Sequence, residues 1–275
     1  MSLPPLILIH GYPFDHTMWR LVAEALKNKV KVIAPDLPGF GDNPIETAEP
    51  SIDLMADAVA KLLDFHNTGR AVIAGMSMGG YVALAFAQRH AERMAGLGLI
   101  STQAAADSNE AKQARKNLID KVRREGTRIA VDALLPMLFS EANQSRKELS
   151  NFAIEGAGKA GSDGICWALG AMANRPDLTS QLRSLQVPAL VLHGAEDKII
   201  PVDRARELAQ TIPDAKYVEI VGAGHALPLE APMEVAEALF DLVSRSETAL
   251  HRSPKRDPHA DGLPGVTWAP TERGL

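Results

Sequence analysis

Six short apolar runs separated by helix-length segments limit most strongly how this chain can fold. Nearly every residue in each run is apolar, rather than every second one. The runs cover residues 6–9, 30–34, 71–74, 96–100, 189–192 and 217–221. Strands buried on both faces need such runs, and alternation of strand and helix is typical of a parallel sheet covered by helices. The sequence therefore predicts an α/β fold with a mostly parallel, doubly wound sheet.

This alternation is interrupted once. Residues 103–185 contain no clear strand and are charged with helical periodicity, so we expect a helical cap over the carboxyl edge of the sheet. The core is then formed by residues 1–102 and 186–245. Residues 246–275 include four prolines and show no periodicity, which predicts an appended tail rather than a domain.

The composition excludes several classes of function. A hydrophobic content of 46% with 23% charged residues is ordinary for a soluble globular protein, and the net charge of −5 argues against nucleic-acid and anionic-membrane partners. The single cysteine, Cys166, cannot form an internal disulfide, and no Cys and His cluster resembles a metal site. The first apolar stretch is too short for a signal peptide or a membrane span. We expect a cytoplasmic protein with a small-molecule substrate and no cofactor or metal; the oligomeric state is not readable.

The stretch "VIAGMSMGG" places a serine between a buried strand and a helix. Gly75 and Gly79 flank Ser77 two residues away on either side. A serine held on a sharp turn from strand to helix needs such glycines, because side chains there would collide with the neighbouring backbone. The start of the following helix also directs backbone N–H groups toward any negative charge that develops. This context favours a nucleophile over a turn serine.

A serine hydroxyl needs a base, and that base needs an acid to orient it. His225 lies in a glycine-flanked loop after the last predicted strand, and Asp197 follows the strand before it. These positions predict the chain order Ser77, Asp197, His225. The acid has rival candidates, because Glu196 is adjacent to Asp197 and other aspartates also fall near strand ends.

Five motifs together resemble the α/β-hydrolase family over residues 4–245. They are "LILIHGYPFDHTMW", "VIAPDLPGFG", "VIAGMSMGG", "PALVLHGAEDKIIP" and "VGAGHALPLEAP". The resemblance implies Ser77 as nucleophile, Asp197 as acid and His225 as base. It also implies an oxyanion loop at His10-Gly11, with the backbone N–H groups of Tyr12 and Met78 as donors. The pattern is broadly similar to that of small esterases and lactone hydrolases.

The predicted function is a cofactor-free serine hydrolase that cleaves a carboxylic ester or lactone through an acyl-enzyme. Carbon–carbon bond hydrolysis and haloperoxidase-like perhydrolysis on the same triad remain open. So does a ligand-binding receptor with vestigial hydrolysis. A buried histidine, His193, is interpreted as a core residue. The physiological substrate, acyl chain length and stereoselectivity are not predicted. The candidate pocket residues, which could equally fill the core, are Trp19, Met137, Phe139, Trp167 and Leu227.

Overall fold

The computed structural model describes residues 3–45 and 49–252, and its centre is a six-stranded sheet. The strands are β1 (Leu6–Ile9), β2 (Val32–Ile33), β3 (Ala71–Met76), β4 (Met94–Ile100), β5 (Ala189–Gly194) and β6 (Ala215–Ile220). They lie in the order β2-β1-β3-β4-β5-β6, and every neighbouring pair is parallel. The predicted parallel α/β sheet is confirmed. All six strands therefore have their carboxyl ends at one edge.

The central strands are buried as their sequence predicts. Every residue of β1, β3, β4 and β5 is buried, because helices cover both faces of the sheet. The strand at one end of the order, β2, is shorter than the apolar run 30–34 and pairs only with β1. At the other end, β6 is mostly half-exposed.

Helices cover both faces of the sheet, and others form the cap. They are α1 (Arg20–Leu26), α2 (Ile52–Phe65), α3 (Met78–Arg89), α4 (Asn109–Glu125), α5 (Arg128–Leu138), α6 (Lys147–Asn174), α7 (Val202–Thr211), α8 (Leu227–Glu230) and α9 (Pro232–Arg252). Gly98 of β4 faces Leu242 of α9, whereas Gly75 of β3 faces Gly79 of α3. Gly98 is in register with Ala74, the residue before Gly75. Because successive strand residues point to opposite faces, α9 and α3 cover opposite sides.

The cap consists of α4, α5 and α6, and it lies over loops at the carboxyl edge of the sheet. A side chain at Gly156 would come within 3.1 Å of the Pro13 carbonyl oxygen, and one at Gly164 within 2.0 Å of the Gly39 carbonyl oxygen. The α6 helix bends at Gly161, whose φ of 65° is readily adopted only by glycine. Small residues on α6 therefore allow the cap to approach the loops after β1 and β2 closely.

A buried ion-pair cluster joins the two ends of the cap. Asp107 precedes α4, and its carboxylate accepts hydrogen bonds from Arg115 at 2.6 Å and from Arg175 at 2.7 Å. The Arg175 guanidinium also lies 4.0 Å from the ring centroid of Tyr81 in α3. Burial alone would raise the pKa of Asp107, but the two arginines hold it below its usual value. This cluster fastens both crossings of the cap to the helix that follows Ser77.

The boundary predicted at residue 245 falls inside α9, which continues to Arg252. Ser246, one residue past that boundary, is buried and donates a hydrogen bond to the Leu242 carbonyl oxygen. It also packs against Gly96 of β4, where only a glycine leaves room for it. The rest of the predicted tail, residues 253–275, lies outside the described residues. Within the described ranges no helix has the length and apolar character that crossing a membrane requires.

Candidate active site

Ser77 occupies a strained turn between β3 and α3. Its φ of 52° and ψ of −112° lie in a region that non-glycine residues rarely adopt, at a cost of about 1–3 kcal/mol. A side chain at Gly75 would lie 2.0 Å from the Gly79 carbonyl oxygen, and one at Gly79 would lie 2.2 Å from the Ile9 carbonyl oxygen. Both flanking glycines are therefore required by close backbone approach. Such strain persists only where the surrounding structure fixes it, and it is often found at functional sites.

The neighbouring strand β4 holds the backbone of this turn. The Ser77 N–H donates to the Ile100 carbonyl oxygen at 2.9 Å, and the Thr102 hydroxyl donates to the Ser77 carbonyl oxygen at 2.9 Å. The Ser77 side chain is half-exposed at the carboxyl edge. Ser77 is therefore partly accessible while its backbone is fixed.

Asp197 and His225 form a buried hydrogen-bonded pair. His225 Nδ1 lies 2.8 Å from Asp197 Oδ2, and the other oxygen, Oδ1, accepts the backbone N–H groups of Ile199 and Ile200 at 2.8 and 2.9 Å. Burial alone would raise the pKa of Asp197, but the His225 imidazole and these N–H donors hold it below its usual value. The carboxylate is therefore ionised near neutral pH and fixes a proton on His225 Nδ1. The Nε2 atom of that ring is left as the basic nitrogen.

The sheet topology brings all three residues to one edge. Ser77 follows β3, Asp197 follows β5 and His225 follows β6, and β4 alone separates β3 from β5. The hydrogen bonds of the described chain include none between the Ser77 hydroxyl and the His225 ring. Catalytic hydrogen bonds are often long in the absence of substrate and tighten when it binds.

The loop after β1 lies directly beside Ser77. A side chain at Gly11 would lie 3.4 Å from Ser77 Cβ and 2.5 Å from Met76 Sδ. The loop is fixed by His10, whose Nε2 accepts the Leu37 N–H at 3.0 Å. Burial lowers the pKa of His10 to about 4, so the ring is neutral at pH 7. Tyr12, one residue after Gly11, lies on this same loop beside Ser77.

The second predicted donor, Met78, is the first residue of α3. The first N–H groups of a helix have no partner within the helix and carry partial positive charge, which suits them to an oxyanion.

The side chain of Tyr12, the other predicted donor residue, is buried, and its hydroxyl has no hydrogen-bond partner in the described structure.

The candidate pocket residues fall into two groups. Trp19, Phe139, Trp167 and Leu227 are buried, and Leu227 begins the short helix just after His225. Phe139 follows the last residue of α5 and touches the loop of His225. A side chain at Gly224 in that loop would lie 2.7 Å from the carbonyl carbon of Phe139. Met137 is 38% exposed and lies on the cap surface, unlike the other four.

One group of side chains in the described residues has metal-ligand spacing. Asp15, His16 and Asp36 place a nitrogen and two carboxylate oxygens within 4.8 Å of one another. Asp15 is already paired with the Lys159 ammonium at 3.3 Å, and His16 Nδ1 lies 2.8 Å from Asp36. Each of the three side chains therefore already has a polar partner in the protein. The Asp15–Lys159 pair also joins the loop after β1 to the cap.

Two residues that contact the site were not assigned to it from the sequence. Glu230 accepts hydrogen bonds from the backbone N–H groups of Gly224, at 3.0 Å, and Ser140, at 2.8 Å. His193, expected only to fill the core, lies 3.4 Å from Asp197 Oδ2. A polar residue inside the apolar run "ALVLHG" was the available signal for His193. Glu230 gave no such signal, because its partner Ser140 is 90 residues away in the chain.

The fold and these motifs agree with a comparison against known families. The model of the alpha/beta hydrolase family matches residues 6–238.

The chain belongs to the alpha/beta hydrolase family.

Relatives with esterase and lactonase names are similar to this alpha/beta hydrolase over most of its length. A thermophilic esterase from Thermogutta terrifontis is 38% identical, with a TM-score of 0.85 over 89% of this chain and 91% of that one. A pimeloyl-[acyl-carrier protein] methyl ester esterase of Chromobacterium violaceum is 31% identical over 86% of this chain and 93% of its own. The enol-lactonase of Burkholderia xenovorans is 28% identical, with a TM-score of 0.80 over 89% and 92% of the two chains.

Some relatives are longer. This chain covers 46% of a bifunctional biotin biosynthesis protein of Teredinibacter turnerae, to which it is 29% identical.

Proposed function

We propose that this alpha/beta hydrolase cleaves a carboxylic ester or lactone through an acyl-enzyme on Ser77. The observation that carries the proposal is the buried Asp197–His225 hydrogen bond of 2.8 Å at the same sheet edge as a strained, half-exposed serine. A carboxylate that orients an imidazole, beside a serine on a strand-to-helix turn, is the arrangement that acyl transfer requires. The esterase and lactonase relatives support the same substrate class.

In the first half of the proposed reaction the enzyme is acylated. Ser77 Oγ attacks the carbonyl carbon while His225 Nε2 takes the hydroxyl proton, and Asp197 stabilises the imidazolium that forms. The carbonyl oxygen becomes an oxyanion, for which the backbone N–H groups of Tyr12 and Met78 are the candidate donors. The tetrahedral intermediate collapses, the bond to the leaving oxygen breaks, and His225 gives that oxygen its proton.

In the second half, water removes the acyl group. His225 Nε2 takes a proton from water as its oxygen attacks the acyl carbon, and the proton then returns to Ser77 Oγ as the carboxylic acid leaves. A linear ester yields an acid and an alcohol. A lactone yields a single hydroxy acid, because the leaving oxygen stays bonded to the acyl chain.

The buried side chains near the site favour an acyl group of modest size. The predicted pocket residues Trp19 and Phe139 are apolar and buried, and a pocket lined by such residues suits an apolar acyl chain. The neutral His10 adds no charge to the oxyanion loop.

Turnover of p-nitrophenyl esters and lactones of increasing chain length tests the proposal, with Ser77→Ala against a matched control. The control is Ser101→Ala, because Ser101 follows the adjacent strand β4 at the same edge and also has a positive φ, 46°. We expect Ser77→Ala to lower kcat by about 10⁴- to 10⁶-fold. Ser101→Ala should keep most of the activity. Full activity of Ser77→Ala, with its fold intact by circular dichroism, would contradict the proposal.

Further measurements separate the alternative activities. A fluorophosphonate should form a bond from phosphorus to Ser77 Oγ with release of fluoride, and mass spectrometry of the Ser77 peptide detects that adduct. Turnover of vinylogous diketones with no ester turnover indicates a carbon–carbon bond hydrolase. Activity that appears only with added peroxide indicates a perhydrolase. A burst of one equivalent of product without turnover indicates a receptor.

A further inference from the structure

A second buried histidine contacts the carboxylate of Asp197. His193 lies in β5, four residues before Asp197, and its ring is completely buried. Its Nε2 atom lies 2.9 Å from the Ile200 carbonyl oxygen and 3.4 Å from Asp197 Oδ2. The other ring nitrogen, Nδ1, is buried and has no hydrogen-bond partner in the described structure.

These neighbours decide which nitrogen of His193 carries the proton. Both groups near Nε2 are acceptors, a carbonyl and a carboxylate, so Nε2 must be the donor. A proton on Nδ1 would be a buried donor without an acceptor, which costs free energy. Burial, opposed by Asp197, lowers the pKa of His193 and keeps the ring neutral. The ring therefore donates its N–H to the Ile200 carbonyl, with Asp197 Oδ2 3.4 Å from the same nitrogen.

The contacts of Asp197 form a closed arrangement with this ring. Ile200 donates its N–H to Asp197 Oδ1 at 2.9 Å and accepts the His193 N–H on its carbonyl at 2.9 Å. The same N–H faces Oδ2, the oxygen that lies 2.8 Å from His225 Nδ1. Among the described residues, the hydrogen bond to Oδ2 comes from His225, which sits on a loop, and His193 Nε2 is the second donor nitrogen near this oxygen.

We propose that His193 is a positioning residue that fixes the Asp197 carboxylate toward His225, a role that rests on the proposed function of this triad. Its N–H restrains rotation of the carboxylate about the Cβ–Cγ bond. The strand β5, which is paired on both sides, holds His193 in place independently of the loops that carry Asp197 and His225. A neutral donor does this without a second positive charge that would compete with the imidazolium of His225.

Two amide substitutions separate this role from simple packing. His193→Gln can place an amide N–H near the position of Nε2, whereas the shorter side chain of His193→Asn reaches only the position of Nδ1. Both variants put a polar amide at the same buried place, so we expect similar losses in melting temperature. Val191→Ala, two residues earlier on the same face of β5, controls for lost packing alone.

Steady-state kinetics with the best ester then gives the test. We expect His193→Asn and His193→Phe to lower kcat by about 10- to 100-fold with little change in KM, because misplacement of a catalytic group by about 1 Å has effects of this size. His193→Gln should recover most of kcat, and Val191→Ala should keep it. Equal kcat values for the Gln and Asn variants, at matched folded fractions, would overturn the proposal.

A measurement without turnover keeps this result distinct from the proposed function. In ¹⁵N NMR of histidine-labelled protein, we expect His193 to be protonated on Nε2 and His225 on Nδ1, in the wild type and in Ser77→Ala alike. His193 protonated on Nδ1 would overturn the positioning role even if Ser77 proves to be the nucleophile. The expected protonation pattern with an active Ser77→Ala would instead reject the proposed function and leave the His193 contact in place.

Discussion

At the residue scale, two glycines and two acidic neighbours show what could be read from the sequence. The serine turn was predictable because the glycines around Ser77 are required by contacts with the turn itself and with the adjacent strand end. Which of the adjacent residues Glu196 and Asp197 pairs with His225 was harder to predict. The structure places Asp197 against His225, whereas Glu196 accepts the backbone N–H of Glu141 in the cap. Sequence position alone cannot distinguish adjacent carboxylates, because the difference depends on which one points inward.

The close approach at Gly79 gives a prediction for a single methyl group. In Gly79→Ala the new Cβ would lie 2.2 Å from the Ile9 carbonyl oxygen and 2.7 Å from that of His10. Backbone cannot move aside cheaply, so we expect a loss of about 2–3 kcal/mol in the free energy of unfolding. Urea denaturation measures it, with loss of esterase activity as a second readout.

Gly158→Ala is the matched control for this prediction. Gly158 lies in α6, and a methyl group added there would have no other atom within 4 Å. The same substitution should raise stability at this position by about 0.5–1 kcal/mol, because alanine favours a helix. Equal effects of the two substitutions would show that the backbone contact at Gly79 is unimportant.

At the element scale, the strands were easier to predict than the cap. Runs such as 71–74 and 189–192 are apolar throughout, and the structure has buried strands there. The cap helices follow the charged periodicity, but their placement depends on partners far away in the chain. The contact of Phe139 with Gly224 joins segments distant in sequence, and no local pattern encodes it. The bend at Gly161 was likewise not predictable, since an isolated glycine in a helix has several explanations.

Glu230 connects the cap to the loop of His225, and this connection can be tested. Its Oε1 accepts the Gly224 N–H at 3.0 Å, and its Oε2 accepts the Ser140 N–H at 2.8 Å and the Asn143 amide at 3.0 Å. In Glu230→Gln one oxygen becomes an amide nitrogen that faces a donor. We expect kcat for the best ester to fall about 10-fold, since the amide can no longer accept from both sides.

Hydrogen exchange and a second glutamate complete this experiment. Amide exchange of residues 138–143 and 224–226 should become faster in Glu230→Gln, because the hydrogen bonds of Glu230 that join these two segments are weakened. Glu196→Gln is the control. Its carboxylate accepts one backbone N–H, from Glu141, which the carbonyl of a glutamine can still bind. A fall in kcat of the same size in both variants would argue against a specific connection through Glu230.

At the scale of the whole molecule, the site is assembled from segments that the sheet alone brings together. Ser77 and His225 are far apart in the chain and lie at one edge of the sheet because parallel strands end there. Contacts that fasten the cap to the core include Arg175 on the Tyr81 ring, the Lys159–Asp15 pair and Glu230. The architecture was predictable from the alternation of strands and helices and from the order of the motifs. The contacts between cap and core were not, because they depend on side chains that come together only in the folded chain.

Global stability should fall as the pH is lowered, because His10 is buried without charge. Its pKa is lowered from 6.5 to about 4 by burial. Well above pH 6.5 the ring is neutral in both the folded and the unfolded chain and contributes no pH dependence. Between pH 6.5 and about 4 the unfolded chain binds a proton that the folded chain does not, so the free energy of unfolding falls by about 3 kcal/mol.

A variant that cannot titrate isolates this contribution of His10. In His10→Gln the amide oxygen can still accept the Leu37 N–H, but the side chain takes up no proton in this range. Urea denaturation from pH 7 to pH 4 should therefore give a flatter dependence for the variant than for the wild type. The lowered pKa of His193 should account for part of the slope that remains. Identical slopes for the two proteins would mean that His10 does not resist protonation in the folded chain.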